Sequence, residues 1–207
     1  MWVESPLLWG VHAAGSSDAN EITDLEGQRF AISRFGSGSE LMSLVLAEDL
    51  GWELTDDSWV TVGNLDGALE ALPGGDAEIF LWNMSMTQPH VTDGTFKRVG
   101  VLPTPWPSFA VAATDVILRD DQGLAAAVAR IARHEASIVK GFDDLATVVE
   151  QRYELAQGGA AEWAATIDWT DIDAEVDTDM IDSVARRMHH LGRIEQDLPD
   201  TQTLLAT

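Results

Sequence analysis

The chain has no cysteine, and that absence removes disulfides, thiolate zinc sites and cysteine nucleophiles together. Positive charge is nearly as scarce. Twelve Lys and Arg stand against 35 Asp and Glu, for a net charge of -23, and Lys97 and Lys140 are the only lysines. Such a chain repels phosphate, which excludes a nucleic-acid partner. There is no apolar run of about 18 residues, so no transmembrane helix is expected. Met1-Trp2-Val3-Glu4-Ser5-Pro6 has neither a basic start nor an apolar core of the signal-peptide kind. As it stands the sequence reads as cytoplasmic, and a missing upstream segment would make it extracytoplasmic.

What is present suffices for a folded protein. With 207 residues, 45% of them hydrophobic, the chain can build one large domain or two small lobes around a core. The acids are spread through periodic segments instead of forming a block. An Asp-rich, Lys-poor surface over an ordinary core suits a salt-rich cytosol, where counter-ions screen self-repulsion. A halophilic source is the expectation; it carries no information about a reaction.

Residues Leu7 to Ala14 are apolar on both faces and read as an internal strand, which needs a neighbour on each side. Glu21 to Gly27 is a short turn. Arg29 to Ser33 is a strand, followed by a helix over Ser39 to Leu50 that stops at Gly51. Trp59 to Val62 is a strand, and Asn64 caps a helix with Leu65, Ala68, Leu69 and Leu72 on one face. Ala77 to Trp82 is another strand, Asn83 to Asp93 a short helix and loop, and Phe96 to Leu102 an edge strand. This order predicts a small, mostly parallel α/β lobe. Pro103 to Pro107 is a stiff link, and Ser108 to Ala113 is expected to pair with the strand at Leu8 to Ala13. Helices are expected over Leu124 to Val139, over Phe142 to Leu155, and from a cap at Thr178 through Leu191; Glu195 to Thr207 is a polar tail. One lobe joined to the rest by two strands suggests a hinge with a ligand cleft.

The most informative stretch is Phe30 to Glu40, a buried strand running through Gly36-Ser37-Gly38-Ser39 into a helix. Two readings fit it. As an anion cradle, the glycines admit the backbone, Ser37 and Ser39 add hydroxyls, and the helix dipole favours negative charge. As a plain helix cap, Ser37 and Glu40 complete an S-x-x-E box that needs no ligand. No lysine follows, so it is not a P-loop, and Leu41 replaces the last glycine of a dinucleotide fingerprint. Trp9, Trp82 and Trp106 end strands or sit at the link; each is a candidate pocket wall or a core side chain. Trp52, Trp59, Trp163 and Trp169 read as packing.

Catalytic and metal constellations are missing. His189 and His190 are adjacent on a helix and diverge, His134-Glu135 lacks a second histidine, and His12 and His90 are solitary. No serine has a G-x-S-x-G setting. Neither a metal nor a cofactor is expected.

Several segments together resemble one family. They are Trp2 to Leu7, Ile32 to Ser39, Val62 to Ala68, Asp93 to Phe96, Arg98-Val99-Gly100 and Pro103 to Ser108. In this order they look like type II periplasmic substrate-binding proteins, in the branch of nitrate-, sulfonate- and taurine-binding proteins and thiamine-precursor synthases. The resemblance implies an α/β fold of two lobes joined by two hinge strands, closing on a small anionic or heterocyclic ligand. It divides this chain into a hinge strand and lobe-one remnant (1–15), an α/β lobe two with the Gly/Ser loop (16–106), and a return strand with the C-terminal helices of lobe one (107–207). Relatives carry a further β-α-β-α-β piece ahead of the segment matching Trp2, so lobe one is expected to be truncated. They often place an acid after the segment matching Trp82, where this chain has Asn83.

The resemblance implies a binding protein without catalysis, similar to the solute-binding component of an ABC importer for a sulfonate-, nitrate- or pyrimidine-like molecule. Trp9, Arg34, Ser37, Gly38, Ser39, Trp82, Asn83 and Trp106 would form its site. Its partners would be the ligand and an importer permease, with a homodimer through an exposed lobe-one sheet edge as a further option. The alternatives are a thiamine-precursor-synthase-like enzyme, needing a reactive lysine and histidine, and a remnant that binds nothing alone or serves as an assembly partner.

Overall fold

The computed structural model describes residues 5–109, 112–153, 158, 160–167, 169, 177–194 and 200. The chain divides into two compact units. One holds residues 7–104 with 190–193; the other holds 1–6, 105–189 and 194–207.

The first of these is built on a five-stranded sheet. Its strands are β1 (Leu8–Ala14), β2 (Phe30–Ile32), β3 (Trp59–Thr61), β4 (Ile79–Asn83) and β5 (Phe96–Pro103), in the spatial order β3-β2-β4-β1-β5. β2 runs parallel to β3 and β4, whereas β1 is antiparallel to both β4 and β5. The sheet is therefore mixed, with β5 on its edge as expected. β1 is internal, and both its neighbours come from this chain. The expected partner of β1, Ser108 to Ala113, is replaced by β4 and β5. Ser108, Phe109, Ala112 and Ala113 are in no strand, and Ala110 and Val111 lie outside the described residues.

Helices follow the parallel strands. α1 (Gly38–Leu50) leaves β2 and ends at Gly51, whose φ of 69° is left-handed, as a glycine C-cap allows. α2 (Leu65–Gly74) is capped by Asn64, whose Oδ1 accepts from Gly67 N at 3.0 Å. α3 (Met84–Thr92) starts directly at the end of β4. A short 3-10 turn at Ile22–Leu25 precedes β2. Ala31 and Phe80 pack with Ala68 and Leu72 of α2 and with Phe96. Side chains alternate along a strand, so Phe30, Ile32, Ile79 and Leu81 face the other side, where right-handed crossing puts α1. Phe30 packs there against Trp52 and Trp59 at 6.4 and 5.8 Å between centroids, the packing role read for those tryptophans.

The elements of the second unit are helices. It holds α4 (Asp115–Asp120), α5 (Gln122–Lys140), α6 (Leu145–Tyr153), α7 (Ala161–Ala165) and most of α8 (Thr178–His190). Asp121 caps α5, accepting from Leu124 N at 2.9 Å. α8 is capped one residue before the expected Thr178, because Asp177 Oδ1 accepts from Met180 N at 3.2 Å. The helix expected over Phe142 to Leu155 is α6, with Leu155 outside the described residues, as are nearly all of Glu195 to Thr207.

Candidate ligand site

From β2 the chain passes through α1 to β3 on one side, then returns through α2 to β4 on the other side of β2. The loops leaving the carboxyl ends of β2 and β4 thus diverge to opposite faces. The point between them, where strand order reverses, is the general ligand position of open α/β sheets. Ser33 to Ser37 leave β2 at this point, and Asn83 ends β4 there.

β1 closes the rim. Its register sets Trp9 opposite Asn83 and Gly10 opposite Trp82, bringing both indoles to the carboxyl end of β4. The two rings meet edge to face, 6.5 Å between centroids and 81° between planes. Trp82 also stacks on Phe80 at 5.2 Å, so its inner side is core. Trp9 lies on the first turn of α1: a Cβ on Gly38 would come within 2.9 Å of Trp9 Cη2. Glycine at 38 is what admits the indole. The Nε1 atoms of Trp9 and Trp82 are both buried and have no hydrogen-bond partner among the described residues.

The Gly/Ser turn satisfies much of itself. Gly36 has a φ of 72°, which turns the chain into the helix. Ser37 Oγ accepts from Glu40 N at 3.3 Å, the first half of the expected capping box. Ser39 Oγ accepts from Ser33 N at 2.9 Å and lies 3.0 Å from Ser37 Oγ. Glu40 departs from the box. Its Oε2 accepts from Gly36 N at 2.7 Å, one residue before the usual position, and its Oε1 pairs with Arg193 Nη1 at 2.9 Å. The hydroxyls of Ser37 and Ser39 are therefore engaged inside the turn. The N–H groups of Gly38 and Ser39 have no partner among the described residues, as the first two amides of a helix should not.

Arg34 is exposed beside the turn, its Nη1 within 3.4 Å of Phe35 O. Asn83 caps α3, its Oδ1 accepting from Met86 N at 3.1 Å, so a second helix N-terminus opens beside the first strand end. Trp106 is half-buried and belongs to the helical unit. Ser33 reads from the sequence only as the end of a strand, and Glu40 only as a cap, through its S-x-x-E spacing. Arg193, 153 positions from Glu40, carries no signal in the sequence.

Other titratable groups stand apart from the rim. His12 is fully buried on the face shared with Phe80 and Phe96. Its Nδ1–H donates to Phe80 O at 3.1 Å, its Nε2 has no partner among the described residues, and burial lowers its pKa to about 4. Lys97 Nζ donates to Asn20 Oδ1 at 2.9 Å, and Lys140 is exposed at the end of α5. Among the described residues no group of three or more His, Asp or Glu could hold a metal, and no helix is long and apolar enough to cross a membrane.

The fold is that of periplasmic binding proteins, in agreement with the resemblance read from the sequence. Residues 9–102 match the family model described as Ca3427-like PBP. Among solved structures, the Candida albicans CA3427 gene product, described as exhibiting the generic periplasmic binding protein fold, is similar at a TM-score of 0.80 and 22% identity, over 95% of this chain and 66% of that one. A sulfonate-binding protein SsuA from Methylobacillus flagellatus is similar at 0.67 and 15% identity, over 99% and 65%. The alkanesulfonate-binding SsuA of Xanthomonas axonopodis, bound to MOPS, is similar at 0.64 and 13%, over 97% and 69%. This chain thus spans about two thirds of the length of these neighbours. No curated protein matches by sequence.

Proposed function

We propose that the chain binds a small anionic organic molecule, of the alkanesulfonate kind, at the carboxyl ends of β2 and β4, and acts as the solute-binding component of an importer. One observation carries the reading. The N–H groups of Gly38 and Ser39, without a partner among the described residues, open the α1 helix at the strand-order reversal, with the Trp9 indole against them. Helix amides and dipole favour an anion, while an indole wall suits an attached alkyl or ring group. Two further facts support it. The buried Nε1 donors of Trp9 and Trp82 leave acceptor demand at the same rim, and two similar structures are sulfonate-binding proteins. Arg34 adds the nearby positive charge, and Asn83 offers its amide N–H groups beside the second helix start. The importer permease would be the protein partner, the acidic surface an adaptation to salt, and a homodimer through a sheet edge the remaining mode of association.

A thermal-shift screen against alkanesulfonates, nitrate, phosphate esters and pyrimidines tests the reading. A sulfonate is expected to raise Tm, and the shift is expected to shrink in Gly38→Leu, which displaces Trp9 from the helix start. No shift with any of these compounds overturns it. Light scattering on the same samples separates a monomer from a homodimer.

A further inference from the structure

Glu40 is an unexpected neighbour for an anion. It is 2% exposed and sits in the first turn of α1, where its carboxylate takes the Gly36 N–H and occupies the positive end of the helix dipole. Left alone, that charge would cancel the attraction that the Gly38 and Ser39 amides exert on a second anion a few ångströms away, because screening is weak at a buried site. The structure supplies a counter-charge from far along the chain. Arg193, just beyond α8, donates Nη1 to Glu40 Oε1 at 2.9 Å, with its Nε on Leu191 O at 3.2 Å. The same stretch approaches α1 again through His190 Nε2, 3.3 Å from Glu48 Oε1. Gly36 and Arg193 between them engage both carboxylate oxygens.

We propose that Arg193 is a positioning residue for the anion site: by neutralising Glu40 it keeps the start of α1 attractive to a ligand anion while Glu40 holds the turn. The inference rests on the functional reading above. It divides the labour at the turn between two residues. Glu40 fixes Gly36, and hence the direction of the Gly38 and Ser39 amides. Arg193 removes the electrostatic penalty of doing so with a carboxylate. A glutamine at 40 would keep an acceptor for Gly36 without the charge, so Arg193 matters to the ligand only while Glu40 is charged.

Calorimetric titration with ethanesulfonate and with MOPS tests this on the wild-type chain, Arg193→Gln, Glu40→Gln and the double variant. Arg193→Gln is expected to weaken both anions about tenfold, Glu40→Gln to leave them as tight or tighter, and the double variant to recover to within about threefold of wild type. A merely structural role for Arg193 predicts instead that Glu40→Gln also weakens binding, since it breaks the same pair. Circular dichroism melts on the four proteins show whether each is folded. If wild type binds and Arg193→Gln binds equally well, or the double variant stays as weak as Arg193→Gln, this inference is wrong and the site reading survives. If wild type binds neither anion, both fall.

Discussion

His12 shows how a single residue in this sheet couples stability to pH. Its ring is buried against Phe96, and its Nδ1–H is committed to Phe80 O. Burial holds the folded-state pKa at about 4, against 6.5 for a free histidine. The unfolded chain takes up a proton near pH 6.5, and the folded chain only near pH 4. Stability therefore falls as pH drops through that window and levels off below it, by on the order of 3 kcal/mol from this ring. Many carboxylates titrate in the lower part of the window, so the informative quantity is a difference between variants. His12→Gln is expected to be less stable at pH 7 but to lose less on going to pH 4.5, as read from denaturant melts. Parallel losses in the two proteins would show that His12 is not the group responsible.

At the scale of elements, the α2 helix offers a paired comparison. A Cβ on Gly67 would lie 1.9 Å from Val62 O, a backbone atom that cannot turn away, and Gly67 N is the donor that Asn64 caps. Gly67→Ala is expected to cost about 3 kcal/mol or more. Gly74 ends the same helix with nothing nearer than the Asp76 side chain at 3.7 Å, so Gly74→Ala is expected to be neutral or stabilising by up to about 1 kcal/mol. Equal effects in chemical denaturation would contradict the packing described for the start of α2. Elements of this kind were legible in the sequence because their signals are local. Asn64, Gly51 and the 3.6-residue apolar spacing marked α1 and α2 to within a residue or two. Strand partnership was less legible. The apolar run at Leu8 correctly implied two neighbours, but nothing local says that β4 and β5 supply them in place of Ser108 to Ala113. The site divides in the same way. The turn Gly36 to Ser39 and the tryptophans Trp9 and Trp82 could be named because glycine, serine and tryptophan are conspicuous at strand ends. The Trp9 contact with Gly38 depends on β1 register, and the Glu40–Arg193 pair on a chain reversal more than a hundred residues later, so neither had a local signature.

Across the whole molecule, burial is uneven. Among the described residues, every large side chain that is fully buried lies between Val11 and Phe96, in the sheet unit. The helical unit keeps Leu124, Val128, Ile131 and Ile138 of α5 at 45–62% exposure. Cooperative stability should therefore come chiefly from the sheet unit, whose apolar side chains leave water on folding. The charge acts on both units alike. At -23 the chain repels itself, and shortening the Debye length from about 10 Å to about 3 Å, between 0.1 M and 1 M salt, removes most of that cost. Tm is expected to climb steadily with KCl over this range. A flat profile would mean that the acidic surface is not a salt adaptation.

The central claim concerns two backbone amides, and they can be observed directly. In a 15N-labelled sample titrated with ethanesulfonate, the account predicts that the amide resonances of Gly38 and Ser39 shift downfield in proton frequency and saturate together. The indole N–H signals of Trp9 and Trp82 should move with the same midpoint. Saturable binding that leaves these four signals in place, while others shift, would put the ligand elsewhere and contradict the account.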